Sequence, residues 1–100
     1  MAGDGRAPQD RLRELRQREH VVSAIAVAHT DWRRMLEVLE AAATPSEAQD
    51  ALGREYGFTQ VQATAVLDAQ FRRVIGVERE RITAELEQLR REIDELDGGA

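Results

Sequence analysis

The sequence contains no cysteine and no lysine, and it has only two prolines and four percent aromatic residues. Without cysteine, neither a disulfide framework nor a thiolate metal site is possible. No apolar run approaches the roughly 20 residues that a membrane span requires. The start of the chain, with Gly3, Gly5 and Pro8, lacks the apolar segment of a signal peptide. These absences predict a cytoplasmic protein that has no contact with a membrane.

The residues that are abundant favour long helices. The chain is 42% hydrophobic and 33% charged, and Ala, Leu, Glu and Arg dominate it. One hundred residues suffice for one domain with a thin core, and oligomerisation commonly adds burial to such small domains. The net charge of −5 makes autonomous DNA binding unfavourable, because binding to phosphates needs clustered positive charge.

The apolar pattern divides the chain into a disordered tail, residues 1–9, and a single helical domain, residues 10–97. Two arm helices, at about 10–29 and 77–97, carry apolar residues at spacings of three, four and seven, which is typical of coiled coils. Between them, residues 30–76 form a head of short helices. The predicted arm residues are Leu12, Leu15, Val22, Ile82, Leu86, Leu89, Ile93 and Leu96. We therefore expect an all-α fold, an antiparallel coiled-coil hairpin with a small helical head.

Capping residues mark where the head helices begin. Thr30 and Asp31 are good N-cap types for a helix over residues 32–43. The clearest helix start is Thr44-Pro45-Ser46-Glu47, in which Thr44 caps, proline takes the first helical position and Glu47 closes a capping box. This helix is expected to end before Gly57.

A second capping box, formed by Thr59 and Gln62, opens a helix predicted to run over residues 60–74. One apolar stripe of this helix contains Ala63, Leu67, Phe71 and Val74. Because Val66 and Ala69 extend the apolar surface to a neighbouring face, we expect the helix to pack on two sides. Gly76 interrupts the pattern before the last arm helix begins.

No set of residues in the sequence forms a convincing catalytic or metal site. His20 and His29 are nine residues apart and are expected on opposite faces of one helix, in structural roles. Tyr56 is the only phenolic nucleophile available, but its neighbours are of mixed charge, and we expect Tyr56 and Phe58 to fill the core of the head. No glycine-rich phosphate loop is present. The sequence therefore predicts no cofactor and no metal.

Three arginine pairs raise the possibility of nucleic-acid binding: Arg33-Arg34, Arg72-Arg73 and Arg90-Arg91. Adjacent residues on a helix are about 100° apart, so each pair spreads over two faces. Carboxylates lie three or four residues from many of these arginines; Glu87, for example, precedes Arg90 and Arg91. Solvated ion pairs are therefore the expected role.

Five segments resemble the A subunits of DNA gyrase and topoisomerase IV, in order and in spacing over about residues 11–96. The longest is 62–79, which resembles the family's QAQAILDLRLRRLTGLER segment. The others are 18–22, similar to RAHIVEGL; 32–39, similar to DEVIALIR; 44–48, similar to TPAEA; and 55–59, similar to EFGLSE.

In that family the corresponding segment is a coiled-coil arm with a helical head. Paired heads form the exit gate, or C-gate, for the transported DNA segment. The resemblance implies a twofold homodimer made by the heads. The expected contacts are Val66, Ala69, Gln70, Arg73, Val74, Ile75 and Val77. The family's catalytic tyrosine and adjoining arginine have no counterpart in this sequence, and Tyr56 aligns with a gate phenylalanine. No enzymatic activity is expected.

Several functions remain open at this point. The leading hypothesis is a free-standing dimerisation module, and the alternative is a regulator that binds the A subunit of gyrase or topoisomerase IV and alters DNA supercoiling. Direct DNA binding is disfavoured by the acidic balance, and intact topoisomerase activity by the missing tyrosine domain. A fragment without a role is the remaining possibility.

Overall fold

The computed structural model describes residues 7–69 and 76–98, and every regular element in those ranges is an α-helix. The elements are α1 (Pro8–Thr30), α2 (Trp32–Glu40), α3 (Pro45–Tyr56), α4 (Gln60–Ala69) and α5 (Gly76–Asp97). The fold class predicted from the sequence, all-α with a helical hairpin and a small head, is confirmed. Within the same ranges, no helix combines the length and the hydrophobicity needed to cross a bilayer.

Helices α1 and α5 pack side by side as the arm of a molecule that measures 51 × 27 × 22 Å. They run antiparallel, because Arg11 binds Glu92 (3.1 Å) while Arg18, seven residues later, binds Glu85 (2.8 Å), seven residues earlier. Their shared core, the arm cluster, consists of Leu15, Val22, Ile82, Leu86 and Leu89, with Ile25, Ala26 and Ile93 packed against it.

The two ends of the predicted arm stripe behave differently from its middle. Leu96 is 36% exposed, and Leu12 is only partly buried and lines a surface groove beside α4. Neither leucine belongs to the arm cluster. The stripe is therefore buried in the middle of the arm and becomes more exposed towards its end at Leu12 and Leu96.

Helices α2, α3 and α4 form the head, which packs on the C-terminal half of α1. Its core, the head cluster, contains Ala24, Met35, Val38, Leu52, Ala63 and Val66. Leu52 of α3 is completely buried and Met35 of α2 nearly so. Helix α1 thus contributes to both clusters, Val22 to the arm and Ala24 to the head.

Helix α3 begins and ends as its sequence predicts. The hydroxyl of Thr44 accepts a hydrogen bond from the backbone N–H of Glu47 (3.1 Å). The carboxylate of Glu47 accepts from the backbone N–H of Ala43 (3.1 Å), one residue before the cap, whereas a standard capping box would use the N–H of Thr44 itself. The helix ends at Tyr56 and is followed by Gly57, whose φ of +71° is a left-handed conformation that glycine adopts without strain.

Other boundaries differ from the expected ones. Helix α1 begins at Pro8, two residues earlier than expected, because proline suits a first helical turn. Helix α2 ends at Glu40 rather than Ala43. Residues 1–6 of the expected tail and residues 70–75, which include the end of the helix expected over 60–74, lie outside the described residues.

Candidate functional site

Tyr56, the candidate nucleophile, lies at the C-terminal end of α3, where its side chain is held on two sides. The phenol ring stacks on Phe58, with ring centroids 5.2 Å apart and planes at 17°. The hydroxyl donates a hydrogen bond to Oδ2 of Asp31 (2.9 Å), which precedes α2. Both rings are half-buried and pack against the head cluster, so the predicted packing of Tyr56 and Phe58 on the core of the head is confirmed, although neither ring is fully buried in it.

The surroundings of Tyr56 make it a poor nucleophile. Burial, reinforced by the hydrogen bond to Asp31 and its negative charge, raises the pKa of Tyr56 to about 12. An activated nucleophile needs the opposite, a lowered pKa or an adjacent base that takes its proton readily. The hydroxyl therefore acts as a structural donor that links α3 to the start of α2.

Asp31 was expected to cap α2, and in this respect the expectation is wrong. Asp31 occupies the N-cap position, but its side chain makes no capping hydrogen bond. Its carboxylate accepts from Tyr56 instead. Thr30, the other candidate, donates its hydroxyl proton to the carbonyl of Ala26 one turn earlier in α1 (3.1 Å).

An ion pair lies on the outer side of the same contact between α2 and α3. Arg34 donates two hydrogen bonds to the carboxylate of Glu55, at 3.1 and 3.0 Å. The hydrogen bond from Arg34 lowers the pKa of Glu55, and the same contact raises the pKa of Arg34. Both side chains are exposed, so the pair fixes geometry more than it adds stability.

The two histidines lie in separate places. Nε2 of His20 is 2.8 Å from the hydroxyl of Thr59, and Gln62 donates its side-chain N–H to the carbonyl of His20 (2.8 Å). His29 is buried and lines a different cavity together with Trp32 and Thr83. The structural role predicted for His20 is confirmed: it joins α1 to the capping box of α4. In the parts of the chain that the structure describes, no three His, Asp or Glu residues are placed to hold a metal ion.

The arginine pairs mostly engage other side chains. Arg33 stacks over the ring of Trp32 (5.1 Å), and Arg90 binds Glu19 across the arm (3.2 Å). Arg91 donates to Gln88 (2.8 Å). The expected ion pairing is confirmed for Arg34 and Arg90, although Arg90 binds a partner on α1 rather than Glu87. Arg72 and Arg73 are outside the described residues.

Only some of the predicted dimer contacts lie among the residues that the structure describes. Val66 is 7% exposed and packs in the head cluster, so a single chain already covers it. Ala69 is the last residue of α4 and is partly exposed. Gln70, Arg73, Val74 and Ile75, together with the side chain of Val77, lie outside the described residues, and their role in an interface stays a prediction.

The sequence pattern did not reveal an open groove of about 850 Å³ between the first half of α1 and the start of α4. Its apolar residues are Leu12, Val21 and Val61, and Val61 is 61% exposed. The available signal was the position of Val61, which lies off the apolar stripe of α4. A large apolar residue that its own helix leaves exposed is a candidate contact for something else.

No family profile matches the chain, but comparison with known proteins finds similarity to the A subunit of DNA gyrase from several organisms. The chain is 33% identical over 85 residues to the A subunit of DNA gyrase from Deinococcus deserti, covering 85% of the chain and 10% of that protein. It is 32% identical over 87 residues to the chloroplastic and mitochondrial A subunit of DNA gyrase from Arabidopsis thaliana, covering 87% and 9%. For the Staphylococcus aureus gyrase A subunit, identity is 29% over 92 residues, covering 92% and 10%. The chain spans about a tenth of the length of these relatives and is related to one segment of the DNA gyrase A subunit.

Proposed function

We propose that this relative of a segment of the DNA gyrase A subunit is a non-catalytic helical dimerisation module, similar to the exit gate of gyrase. The observation that carries the proposal is the antiparallel hairpin of α1 and α5 with a head packed on one end. This is the architecture that the resemblance implies for the gate. The similarity to the gyrase A subunit extends over 85 residues and thus includes most of the arm and the head. We place the module in the cytoplasm.

A structural rather than catalytic role is supported by the side chains that could have carried chemistry. Tyr56, with its pKa raised to about 12, donates its hydroxyl proton to Asp31. His20 joins two helices through Thr59. Each of these groups makes a contact between helices, so the proposed function rests on binding through the protein surface rather than on these side chains as reactive groups.

The proposed dimer contact follows the chain from the end of α4 to the start of α5. It contains Ala69, Gln70, Arg73, Val74, Ile75 and Val77, and Val66 is assigned to the core instead because the head cluster buries it. In a twofold interface each of these residues meets the same patch of a second copy. Burial of a few apolar side chains, at about 1.5–3 kcal/mol each, can offset the cost of association.

Light scattering coupled to size-exclusion chromatography tests this proposal. The wild-type chain is expected to elute with twice the mass of the 11.2 kDa chain at micromolar concentration. Val74→Asp places a charge in the proposed contact and is expected to give monomers. Val27→Asp is the matched control, because Val27 is also a valine, is 41% exposed and lies outside the contact. Circular dichroism establishes that both variants remain helical. A monomeric wild-type chain would overturn the proposal.

A second candidate function is regulation of gyrase or topoisomerase IV, in which the chain pairs with a gyrase-type A subunit and displaces that protein's own second copy. The similarity to the gyrase A subunit, at about a third identity, favours this because a head that accepts its twin can accept a close relative. Mixing the chain with the host's gyrase should yield a mixed complex and a change in supercoiling, both abolished by Val74→Asp. Absence of binding would remove this candidate.

Direct DNA binding is not part of the proposal. The chain carries a net charge of −5, and Arg34 and Arg90 are engaged with Glu55 and Glu19. A gel-shift assay is expected to show no complex at physiological salt.

A further inference from the structure

The groove beside α1 has an apolar floor that the folded chain leaves open. Leu12 and Val21 come from α1, and Val61 comes from the first turn of α4. Val61 is 61% exposed, the largest exposure among the large hydrophobic residues of the described chain. These side chains are therefore available to a partner without unfolding either helix.

The shape of the groove suits a helix. The α1 residues that line it run from Gln9 to Val21 and lie three, four, seven, eight, eleven and twelve positions after Gln9, so they follow one face of the helix for about three turns. That face is about 18 Å long at 1.5 Å per residue. Recognition of an amphipathic helix in a groove uses apolar anchors at just such steps.

The charge of the groove walls selects the partner's chemistry. Arg13, Arg16 and His20 line the groove, and none of its lining residues in the described part of the chain is a carboxylate, although the chain as a whole is acidic. Arg13 binds Asp10 (3.2 Å) and Arg16 binds Asp97 (2.6 Å), but both arginines are more than half exposed. Exposed ion pairs of this kind are weak and can be exchanged for a partner's carboxylates.

Charge also argues against a second copy that docks groove to groove. A twofold arrangement of that kind would bring Arg13 and Arg16 of each chain towards the same residues of the other, and like charges at an interface are unfavourable. A partner that brings carboxylates on both sides of an apolar stripe meets no such repulsion.

We propose that this groove is a docking site for an acidic amphipathic helix of a partner protein. The partner's apolar residues contact Leu12, Val21 and Val61, and its flanking carboxylates bind Arg13 and Arg16. The groove lies on a different part of the chain from the stretch proposed for dimerisation. The two proposals can therefore fail separately.

A matched pair of synthetic peptides tests the site with the full chain. Both are fluorescein-labelled helical peptides with leucine at the a and d heptad positions; one carries glutamate at the flanking positions and the other carries lysine. In fluorescence anisotropy the glutamate peptide is expected to bind on the order of tenfold more tightly, and the difference is expected to shrink as salt is raised.

Substitutions locate the binding. Val61→Asp is expected to weaken binding of the glutamate peptide by about tenfold or more, since it places a carboxylate on the apolar floor. Val27→Asp, the exposed control outside the groove, is expected to leave binding unchanged. The double variant Arg13→Gln and Arg16→Gln is expected to remove the preference for glutamate over lysine.

Three results would overturn the proposal. One is the absence of binding by the glutamate peptide, and another is equal binding of both peptides. The third is concentration-dependent self-association that Val61→Asp abolishes, because it would show that a second copy occupies the groove. Light scattering of Val61→Asp separates this outcome from failure of the dimer contact around Val74.

Discussion

Tyr56 offers a direct test of the contact between α2 and α3, because it is the only tyrosine in the chain. Ultraviolet absorbance of tyrosinate therefore reports this one residue. In the folded protein we expect a pKa of about 12, and in denaturant we expect a return to its ordinary value of 10.0. In Asp31→Ala the pKa is expected to fall yet remain above 10, because burial is the largest cause of the shift.

The raised pKa of Tyr56 makes the folded protein less stable at high pH. The pKa of Tyr56 is higher in the folded state, so its contribution is fully present below pH 10 and is lost as pH rises towards 12. A difference of two pKa units between the folded and unfolded states corresponds to a loss of about 2.7 kcal/mol. Because Tyr56 is only partly buried, this figure is an upper bound, and a smaller measured shift lowers the loss in proportion.

Tyr56→Phe isolates the hydroxyl, since phenylalanine keeps the stacking on Phe58. Loss of the 2.9 Å hydrogen bond to the Asp31 carboxylate is expected to lower the free energy of unfolding at neutral pH by about 1–2 kcal/mol. Between pH 10 and 12 the variant should lose less stability than the wild type, measured by urea denaturation. The reasoning is refuted if Tyr56 titrates near 10 in the folded chain, or if both proteins lose stability equally over that range.

Two further predictions concern the head and the arm. Leu52→Ala is expected to lower the free energy of unfolding by about 2–5 kcal/mol in urea denaturation, because Leu52 is completely buried. The control Val61→Ala, at an exposed site, should change it by less than about 0.5 kcal/mol. A similar loss for both variants would contradict the assignment of the core. Glu85→Gln removes the ion pair with Arg18 across the arm and is expected to cost at most about 1 kcal/mol, less at high salt, in thermal denaturation. A larger loss that is insensitive to salt would show that this contact is more buried than the structure indicates.

Local chemistry explains which parts of the fold the sequence predicts. Thr44, Pro45 and Glu47 define a helix start within four residues, and Gly57 defines its end, so both appear as expected. The capping box of Thr59 and Gln62 also forms, with Gln62 accepting from the backbone N–H of Thr59 (3.0 Å). Such features depend on neighbours in the chain and can be inferred without knowledge of the packing.

Contacts between distant residues are what the sequence pattern could not supply. Asp31 is a favourable residue type for an N-cap, but its carboxylate accepts a hydrogen bond from the hydroxyl of Tyr56, 25 residues away. Arg90 has Glu87 one turn away, yet it binds Glu19 on the opposite helix. In each case a partner nearby in the sequence was available, but the side chain binds a residue of another helix because the two helices pack together.

The candidate site shows the same division. The mixed charge around Tyr56 in the sequence offers no sign of an activated hydroxyl, but its raised pKa comes from burial and from Asp31, 25 residues away. The groove could not be anticipated, because Leu12 fits the spacing of the arm stripe and only the position of α4 places it beside Val61. Val66 likewise lies beside the main stripe of its helix, and only the packing of α4 on the head shows that it is buried.

Val22 and Ala24 are two residues apart on α1 and therefore about 200° apart around its axis, and they belong to different cores. Any rolling of α1 would pull one of them out of its cluster, and no glycine or proline between residues 9 and 30 provides a hinge. We therefore expect α1 to act as a rigid connection between the arm cluster and the head cluster, so that a rotation of the arm also rotates the head.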